Sequence, residues 1–287
     1  MSFSVVIVAF KSEHLLEKLI KSIPKSYEVI VIENSINYSV KKNIEKLFTN
    51  SKVIVPETNL GYAKAINLGF AEAKNNFVWV IAPDVILFND LFVYFEKLTE
   101  EFSEFSIIAP TYKNEKIHKN YYPLLKKNTI KSKNYLLEEV EDLDWCLCLV
   151  NKSKLDKKKI LDENFFLYFE TFDLALSLKK EKKKIYVIKE IKFIHEGTSS
   201  SKNEYKLEIL ANRNWHYSWS KFYFYKKNYN YFYAIRKLLP NFLKAIKGYI
   251  TAVINSDEGH KKTHKATMSG ITNSLFLKSA TYRPKIK

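Results

Sequence analysis

FSVVIVAFKSEHLLEKLIKSIPKSYEVIVIE, residues 3–33, carries the pattern that decides the fold. Its first seven residues, Phe3-Ser4-Val5-Val6-Ile7-Val8-Ala9, make a short and nearly continuous apolar run. Such a run is expected of a strand buried on both faces. Ser12 then precedes Leu15, Leu16, Leu19, Ile20 and Ile23, the spacing of one helix face, and Pro24 stops that helix. A second strand follows over 27–32.

Outward from this unit the alternation repeats. A polar helix is predicted over 40–48, a short strand over 53–55 and a strand over 77–81. Between the last two, Ala63, Ile66, Phe70 and Ala73 place one apolar stripe on a helix. Repeated strand–helix–strand units predict an α/β domain with a mostly parallel sheet and helices on both faces. Further on, the Lys-rich stretch 113–141 reads as a long loop or lid. A strand is expected over 145–150, a helix from near Phe169, a strand pair over 184–194 and a turn over 197–201.

Composition bounds the class. Of 287 residues 46% are apolar and 27% charged, which excludes wholesale disorder. No uncharged apolar run approaches the roughly 18 residues of a membrane-spanning helix. The run 3–10 lacks the basic lead and small-residue cleavage site of a signal peptide, so it is read as a first strand. Cys146 and Cys148 stand one residue apart in an apolar stretch, a poor disulfide and half of no zinc site. The expectation is a reduced, cytoplasmic protein.

The net charge of +16 is unevenly placed. Residues 202–287 hold 17 basic and 4 acidic side chains, so +13 of it lies there and +3 in residues 1–201. Eleven aromatics fall between Trp215 and Tyr233. Two domains are therefore expected, 1–201 and a basic, aromatic, helical region 202–287. An acidic partner surface is expected for the second.

Ligands of open α/β sheets bind beyond the carboxyl ends of the strands. The polar residues found there are Glu33-Asn34-Ser35, Asn59-Leu60-Gly61, Pro83-Asp84 and His195. Neither G-x-G-x-x-G after the first strand nor G-x-x-x-x-G-K-[ST] anywhere is present, which disfavours a dinucleotide fingerprint and a Walker-type loop. A carboxylate at a strand end can accept from a base or ribose, and a second can hold a divalent cation against a diphosphate. Taken singly, Asn59 reads equally as a helix cap, Gly61 as a turn glycine, Asp84 as a loop residue and His195 as structural.

Six strings in order, SVVIVAFKSEHLLEKLIKSI, VIENS, NLGYAKAINLGF, VWVIAPDVIL, DENFFLYFETFDLALSL and FIHEGTSS, resemble the family 2 glycosyltransferases, most closely the rhamnosyltransferase-like branch. The resemblance spans about 3–201. It implies a GT-A (Rossmann-like) fold, a nucleotide-diphosphate sugar donor, a divalent cation (Mg²⁺ or Mn²⁺) and inversion at the anomeric carbon. It assigns Ala9 and Phe10 to the base pocket and Glu33, where the family usually has Asp, to base or ribose. Asn59, Gly61 and Asn67 would shape the donor pocket. Asp84 would bind metal, with Ala82 where the family has the Asn of Asn-Pro-Asp, and His195 would bind metal or diphosphate.

The segment beginning at Glu170 carries the catalytic question. Glu170 and Asp173, three residues apart, share a helix face with Ser177 one turn on. Inverting transfer needs a carboxylate to take the acceptor hydroxyl's proton. The family commonly reads Glu-Asp-x-Asp-Leu followed by an Arg, and the Asp after the first Glu is its favoured base. Here Thr171 and Ser177 stand at the Asp and Arg positions. Either Glu170 or Asp173 serves as base, or the chain is a catalytically impaired nucleotide-sugar-binding assembly partner. A nucleotidyltransferase is a third reading, lacking its glycine-rich basic loop.

For the tail, Trp215, Trp219, Phe222 and Tyr223 interleaved with Lys221, Lys226 and Lys227 suit the interface of an anionic membrane. That matches a lipid-linked saccharide acceptor in cell-surface polysaccharide synthesis, with the protein peripheral on the inner face of the cytoplasmic membrane. The same charges and rings could bind a single-stranded nucleic acid, but no recognised motif for it occurs and none is expected as partner.

Overall fold

A computed structural model of the chain describes residues 2–88, 90–114, 118–132, 135–155, 159–197, 203–284 and 286. In chain order the elements are β1 (Phe3–Ala9), α1 (Glu13–Lys21), β2 (Glu28–Glu33), α2 (Tyr38–Leu47), β3 (Ser51–Ile54) and α3 (Gly61–Glu72). Next come β4 (Phe77–Ile81), β5 (Val85–Ile86), α4 (Leu91–Glu101), β6 (Ile107–Tyr112), β7 (Tyr121–Pro123) and β8 (Thr129–Ser132). The remainder are β9 (Tyr135–Leu143), β10 (Leu147–Asn151), α5 (Glu170–Lys180), β11 (Ile185–His195), α6 (Lys206–Asn228), α7 (Tyr231–Ile254) and α8 (Glu258–Leu275). The chain divides into two compact units. One comprises 1–60, 64–161 and 174–200; the other comprises 61–63, 162–173 and 201–287.

The first unit is built on a sheet of order β3-β2-β1-β4-β10-β6-β11-β9-β7. Pairs β1–β2, β1–β4, β2–β3 and β6–β11 are parallel. β10 runs antiparallel between β4 and β6. The period of two in β1 sorts its side chains. Phe3, Val5, Ile7 and Ala9 face the core with Leu16, Leu19 and Ile20 of α1, Val40 and Ile44 of α2, and Phe92, Phe95 and Leu98 of α4. Val6 points to the opposite face, where Gly69 of α3 lies against it. Both faces of the parallel half are covered, which is why its strands read as apolar runs rather than alternating ones. The mixed α/β fold expected from the alternation is the fold observed.

Two local expectations are corrected. The stretch 113–141 is no unstructured lid: among its described residues it forms β7, β8 and most of β9, and β9 extends the sheet antiparallel to β11. It reads as polar because its acidic residues pair with lysines of β11 and of the neighbouring turns. Glu138 receives Lys127 at 3.1 Å and Lys189 at 2.7 Å, and Glu139 receives Lys184 at 2.6 Å. The expected strand pair over 184–194 is one strand, β11, whose register slips between Ile188 and Lys192. Within the expected turn over 197–201, residues 198–201 lie outside the described residues.

The second unit packs α6, α7 and α8 together. Trp215 and Trp219 of α6 meet Ala266 of α8, and Phe222 meets Ala234 and Leu238 of α7 and Ile271 of α8. A Cβ at Gly270 would lie 2.3 Å from the carbonyl oxygen of Trp215, so only glycine permits this crossing of α6 and α8. Asn230 caps α7 by accepting from the Tyr233 amide, and Asp257 caps α8 by accepting from the His260 amide. The aromatic tail is thereby corrected as well. Trp215, Trp219 and Phe222 are buried in this helical core, Lys221 donates to Asn241, and Lys227 is engaged with Asp162 and Asp173. These rings and lysines do not form an exposed interfacial belt. Among the described residues no helix is long and apolar enough to cross a membrane.

Gly69 gives a direct test of the packing between α3 and β1. Replacing a helical glycine by alanine gains about 1 kcal/mol of helix propensity. A Cβ here would sit 2.4 Å from Val6 Cγ1 in a buried strand, so overpacking outweighs that gain. Gly69→Ala is expected to lower unfolding free energy by roughly 1–2 kcal/mol, read as a shift in denaturant midpoint.

Candidate active site

In the first unit, the short pairing of β5 with the end of β11 sets Ile86 against Ile194 and Val85 against His195. The Glu196 amide donates to the Asp84 carbonyl at 3.1 Å. This clip holds the Asp84 side chain, 5% exposed, with its Oδ1 3.1 Å from His195 Nε2. Burial is the largest single influence and disfavours the imidazolium, but hydrogen bonding and charge from Asp84 and Cys146 together outweigh it and push His195 up to about 10. As imidazolium, His195 donates Nε2–H to Asp84 and Nδ1–H to the Tyr112 hydroxyl at 3.1 Å. That hydroxyl donates in turn to Cys146 Sγ at 3.3 Å. A cleft of about 110 Å³ opens beside Asp84, lined by Leu15 and Lys18 of α1, the 83–87 turn and Glu196. Its lining is largely apolar, and it is too small for a whole nucleotide.

These residues suit a divalent cation that shares its coordination with a substrate. Asp84 offers a hard oxygen, and His195 would offer Nε2 only after giving up the proton it donates to Asp84, its Nδ1 side being held by Tyr112. Among the described residues no group of three or more His, Cys, Asp or Glu is arranged to hold a metal. Two protein ligands completed by diphosphate oxygens fit the habit of Mg²⁺.

At the neighbouring strand ends, β1 and β2 are tied together: the Asn34 amide donates to the Ala9 carbonyl, and the Lys11 amide to Ser35 Oγ at 2.5 Å. Phe10 is half-buried and its amide donates to Ser12 Oγ. Glu33 is 1% exposed; its Oε1 accepts from the Ser35 amide at 2.7 Å, while its Oε2 has no partner among the described residues. Burial raises its carboxyl above the ordinary range. An unpaired buried carboxylate oxygen is costly, and the hydroxyls of a ribose are donors that would relieve it. Asn34 Oδ1 accepts from the Leu60 amide. Leu60 occupies the cap of α3 without a side-chain cap bond, so Asn59, half-buried, is not the cap. Asn67 clamps another part of the chain: its Oδ1 accepts from the Ile160 and Leu161 amides and its Nδ2 donates to the Leu161 carbonyl.

The second unit contains Gly61 and the start of α5. Gly61, at φ +76°, would place a Cβ 2.4 Å from the Phe166 carbonyl oxygen, and the Tyr62 amide donates to that same oxygen at 2.7 Å. Gly61 thus serves the close approach of two backbone segments. Just before α5, Tyr168 and Phe169 both adopt left-handed backbone, φ +70° and +67°. Such residues cost about 1–2 kcal/mol each. α6 holds them in place: Tyr168 and Phe169 pack on Tyr217, Phe169 also on Phe224, and Ser220 donates to the Leu167 carbonyl.

The strained turn presents Glu170, 5% exposed and with no partner for its Oε2 among the described residues. Desolvation pushes its carboxyl up to about 7. Asp173 differs in every respect. Its Oδ2 accepts from Lys227 Nζ at 2.6 Å and its Oδ1 from Asn228 Nδ2 at 2.9 Å. Lys227 also reaches Asp162 at 2.7 Å, so it ties both ends of 162–173 to α6. Ser177 donates to Glu181 along the helix surface. The sequence reading missed Tyr112 and Lys227. Tyr112 could have been found as a strand-end residue; nothing local marks Lys227 as the partner of residues 54 and 65 positions away.

Three comparisons bear on this arrangement. The chain resembles TarS 1–349 from S. aureus at 14% identity and a TM-score of 0.52, covering 95% of this chain and 91% of that one. The same S. aureus fragment with UDP-GlcNAc gives 14% and 0.53, covering 97% and 93%. The mannosyltransferase PcManGT from Pyrobaculum calidifontis, in complex with GDP-Man and Mn²⁺, gives 10% and 0.57, covering 96% and 88%. At these identities the likeness is one of fold. A search of curated proteins finds no significant match. The family model described as glycosyl transferase family 2 matches residues 4–159, more than half of the chain. This chain belongs to the family 2 glycosyltransferases.

Proposed function

We propose that the protein transfers a sugar, rhamnose among the candidates, from a nucleotide-diphosphate donor to a saccharide hydroxyl with inversion, and that Glu170 is the base. The observation that carries this reading is the contrast between two carboxylates one helical turn apart. Asp173 is neutralised by Lys227, whereas Glu170 is buried, has one oxygen without a partner among the described residues and is shifted to about 7. A base with that affinity takes a proton at neutral pH and returns it to water afterwards.

In this reading Glu33 and the backbone around Ala9 and Phe10 receive the nucleoside, with Asn59, Gly61 and Asn67 shaping the pocket. Asp84 and His195 hold a divalent cation, Mg²⁺ or Mn²⁺, whose chemistry when bound is to offset the charge of the departing diphosphate. The acceptor oxygen attacks the anomeric carbon, the bond from that carbon to the diphosphate oxygen breaks with its electron pair, and the hydroxyl proton passes to Glu170. Structures of like fold that hold UDP-GlcNAc, or GDP-Man with Mn²⁺, support this assignment of donor class and cation. The basic tail supports a lipid-linked acceptor in cell-surface polysaccharide synthesis, met at an anionic membrane surface.

Turnover against a panel of nucleotide sugars, with and without Mn²⁺, tests the reading. Asp84→Ala is expected to reduce metal-dependent transfer at least about a hundredfold; full retention would remove the proposed cation site. Absence of turnover with every donor, despite nucleotide-sugar binding, would favour the impaired assembly partner that Thr171 and Ser177 suggest.

Glu170→Gln is expected to lower turnover by roughly 10²–10⁴-fold while stabilising the protein at alkaline pH. The folded pKa of about 7 lies above the ordinary 4.5, so this group's stabilising contribution is complete below 4.5 and lost as pH rises through 7. Wild type should therefore lose about 3 kcal/mol relative to Glu170→Gln between pH 4 and 8, measured by chemical unfolding. Asp173→Asn should do the reverse, costing up to about 1 kcal/mol of stability by removing one of the two carboxylates that hold Lys227, while turnover stays within about tenfold.

A further inference from the structure

α7 has two apolar faces, and only one is used inside its unit. Ala234, Leu238, Ala245 and Ala252 are buried, with Ala234 and Leu238 in the core shared with α6 and α8. On the other side Phe232, Leu239, Leu243, Ile250, Val253 and Ile254 are exposed, Phe232 by 81% and Ile254 by 76%. Their spacing returns to one side of a helix with 3.6 residues per turn, giving an apolar line about 33 Å long at about 1.5 Å per residue. Six large apolar side chains in one line differ from the scattered exposed leucines of an ordinary surface.

The charges along this line have one sign. Arg236, Lys244 and Lys247 are exposed on one edge of the stripe. Between Glu208 and Asp257 the chain has no acidic residue, so α7 carries basic side chains only. An exposed apolar stripe edged by bases matches a surface that is apolar beneath and anionic at its boundary. A second copy of this helix would set like charges against each other. Nucleic acid would leave the aliphatic line unused, since Phe232 is its one aromatic side chain.

We infer that α7 is the membrane-docking face, lying flat on an anionic bilayer with the stripe at the acyl boundary and Arg236, Lys244 and Lys247 among the lipid phosphates. The inference deepens the membrane part of the proposed function and rests on it. It replaces the buried Trp215, Trp219 and Phe222 with a different set of residues.

The test is co-sedimentation of the full chain with phosphatidylcholine vesicles, with and without phosphatidylglycerol. Wild type is expected to bind the anionic vesicles and to be released by salt. Leu243→Glu with Ile250→Glu should weaken that binding by about tenfold or more, and Lys244→Glu with Lys247→Glu should abolish the preference for phosphatidylglycerol. Both pairs alter exposed side chains, so melting temperature and turnover on a soluble acceptor should stay at wild-type values. Unchanged vesicle binding by both variants would overturn the assignment to α7 while leaving membrane association standing. Wild type that ignores both kinds of vesicle would overturn the membrane reading and this inference together. Conversion of a dimer to a monomer by the Leu243 and Ile250 substitutions, or loss of oligonucleotide binding alone on charge reversal, would assign the face to another partner. Vesicle binding as expected with no turnover in any form would refute the proposed chemistry and leave the docking face intact.

Discussion

A carboxylate oxygen removed from water without a donor is expensive, and the 162–173 segment holds one in that state. Glu170 Oε2 has no hydrogen-bond partner among the described residues, and the raised proton affinity of this carboxyl has desolvation as its leading cause. Backbone strain at Tyr168 and Phe169 adds roughly 1–2 kcal/mol per residue. Compensation comes from α6. Ser220 holds the Leu167 carbonyl, Tyr217 and Phe224 pack on the strained rings, and Lys227 bridges Asp162 and Asp173. Unfavourable local states persist only where surrounding contacts over-determine them, and that condition is met here.

The parallel half of the sheet was legible because its signals are local. The continuous apolar run of β1 and the helical stripe of α1 are each complete within a dozen residues, and both appear in the fold as read. β9 was not legible, because its polar residues are stabilised by Lys189 of β11, by Lys184 just before β11 and by Lys127 of the turn before β8, which the sheet brings beside it. The site divides in the same way. Asp84, His195 and Glu33 could be named because each directly follows or ends a strand. Whether Glu170 or Asp173 was available for chemistry could not be read, since the deciding cation comes from the far end of α6.

The tail shows how one composition can serve two physical purposes. Its aromatic residues were legible as a cluster, but a periodicity in Trp and Phe does not say which side of a helix meets a neighbour. In the fold the rings of α6 supply the core that α7 and α8 close over, with Trp219 Nε1 donating to the Lys278 carbonyl. The aliphatic residues of α7, less conspicuous in the sequence, are the ones left facing solvent. Large rings with polar edges bury well when a carbonyl is near to receive the N–H. Leucine and isoleucine on a solvent face have no such local use, which makes them the more informative signal.

Thr171 is best understood through the same electrostatics. A second carboxylate next to Glu170 would make proton affinity a property of the pair, since two acids in one apolar site cannot both ionise freely. With a neutral hydroxyl residue there, Glu170 titrates alone and burial sets its position. The resemblance puts an Asp at this position; with Thr171 there, the repulsion a second acid would exert on Glu170 is absent. The proton affinity of Glu170 is set near neutrality by desolvation. Asp173, on the same helix face, is held by Lys227 instead.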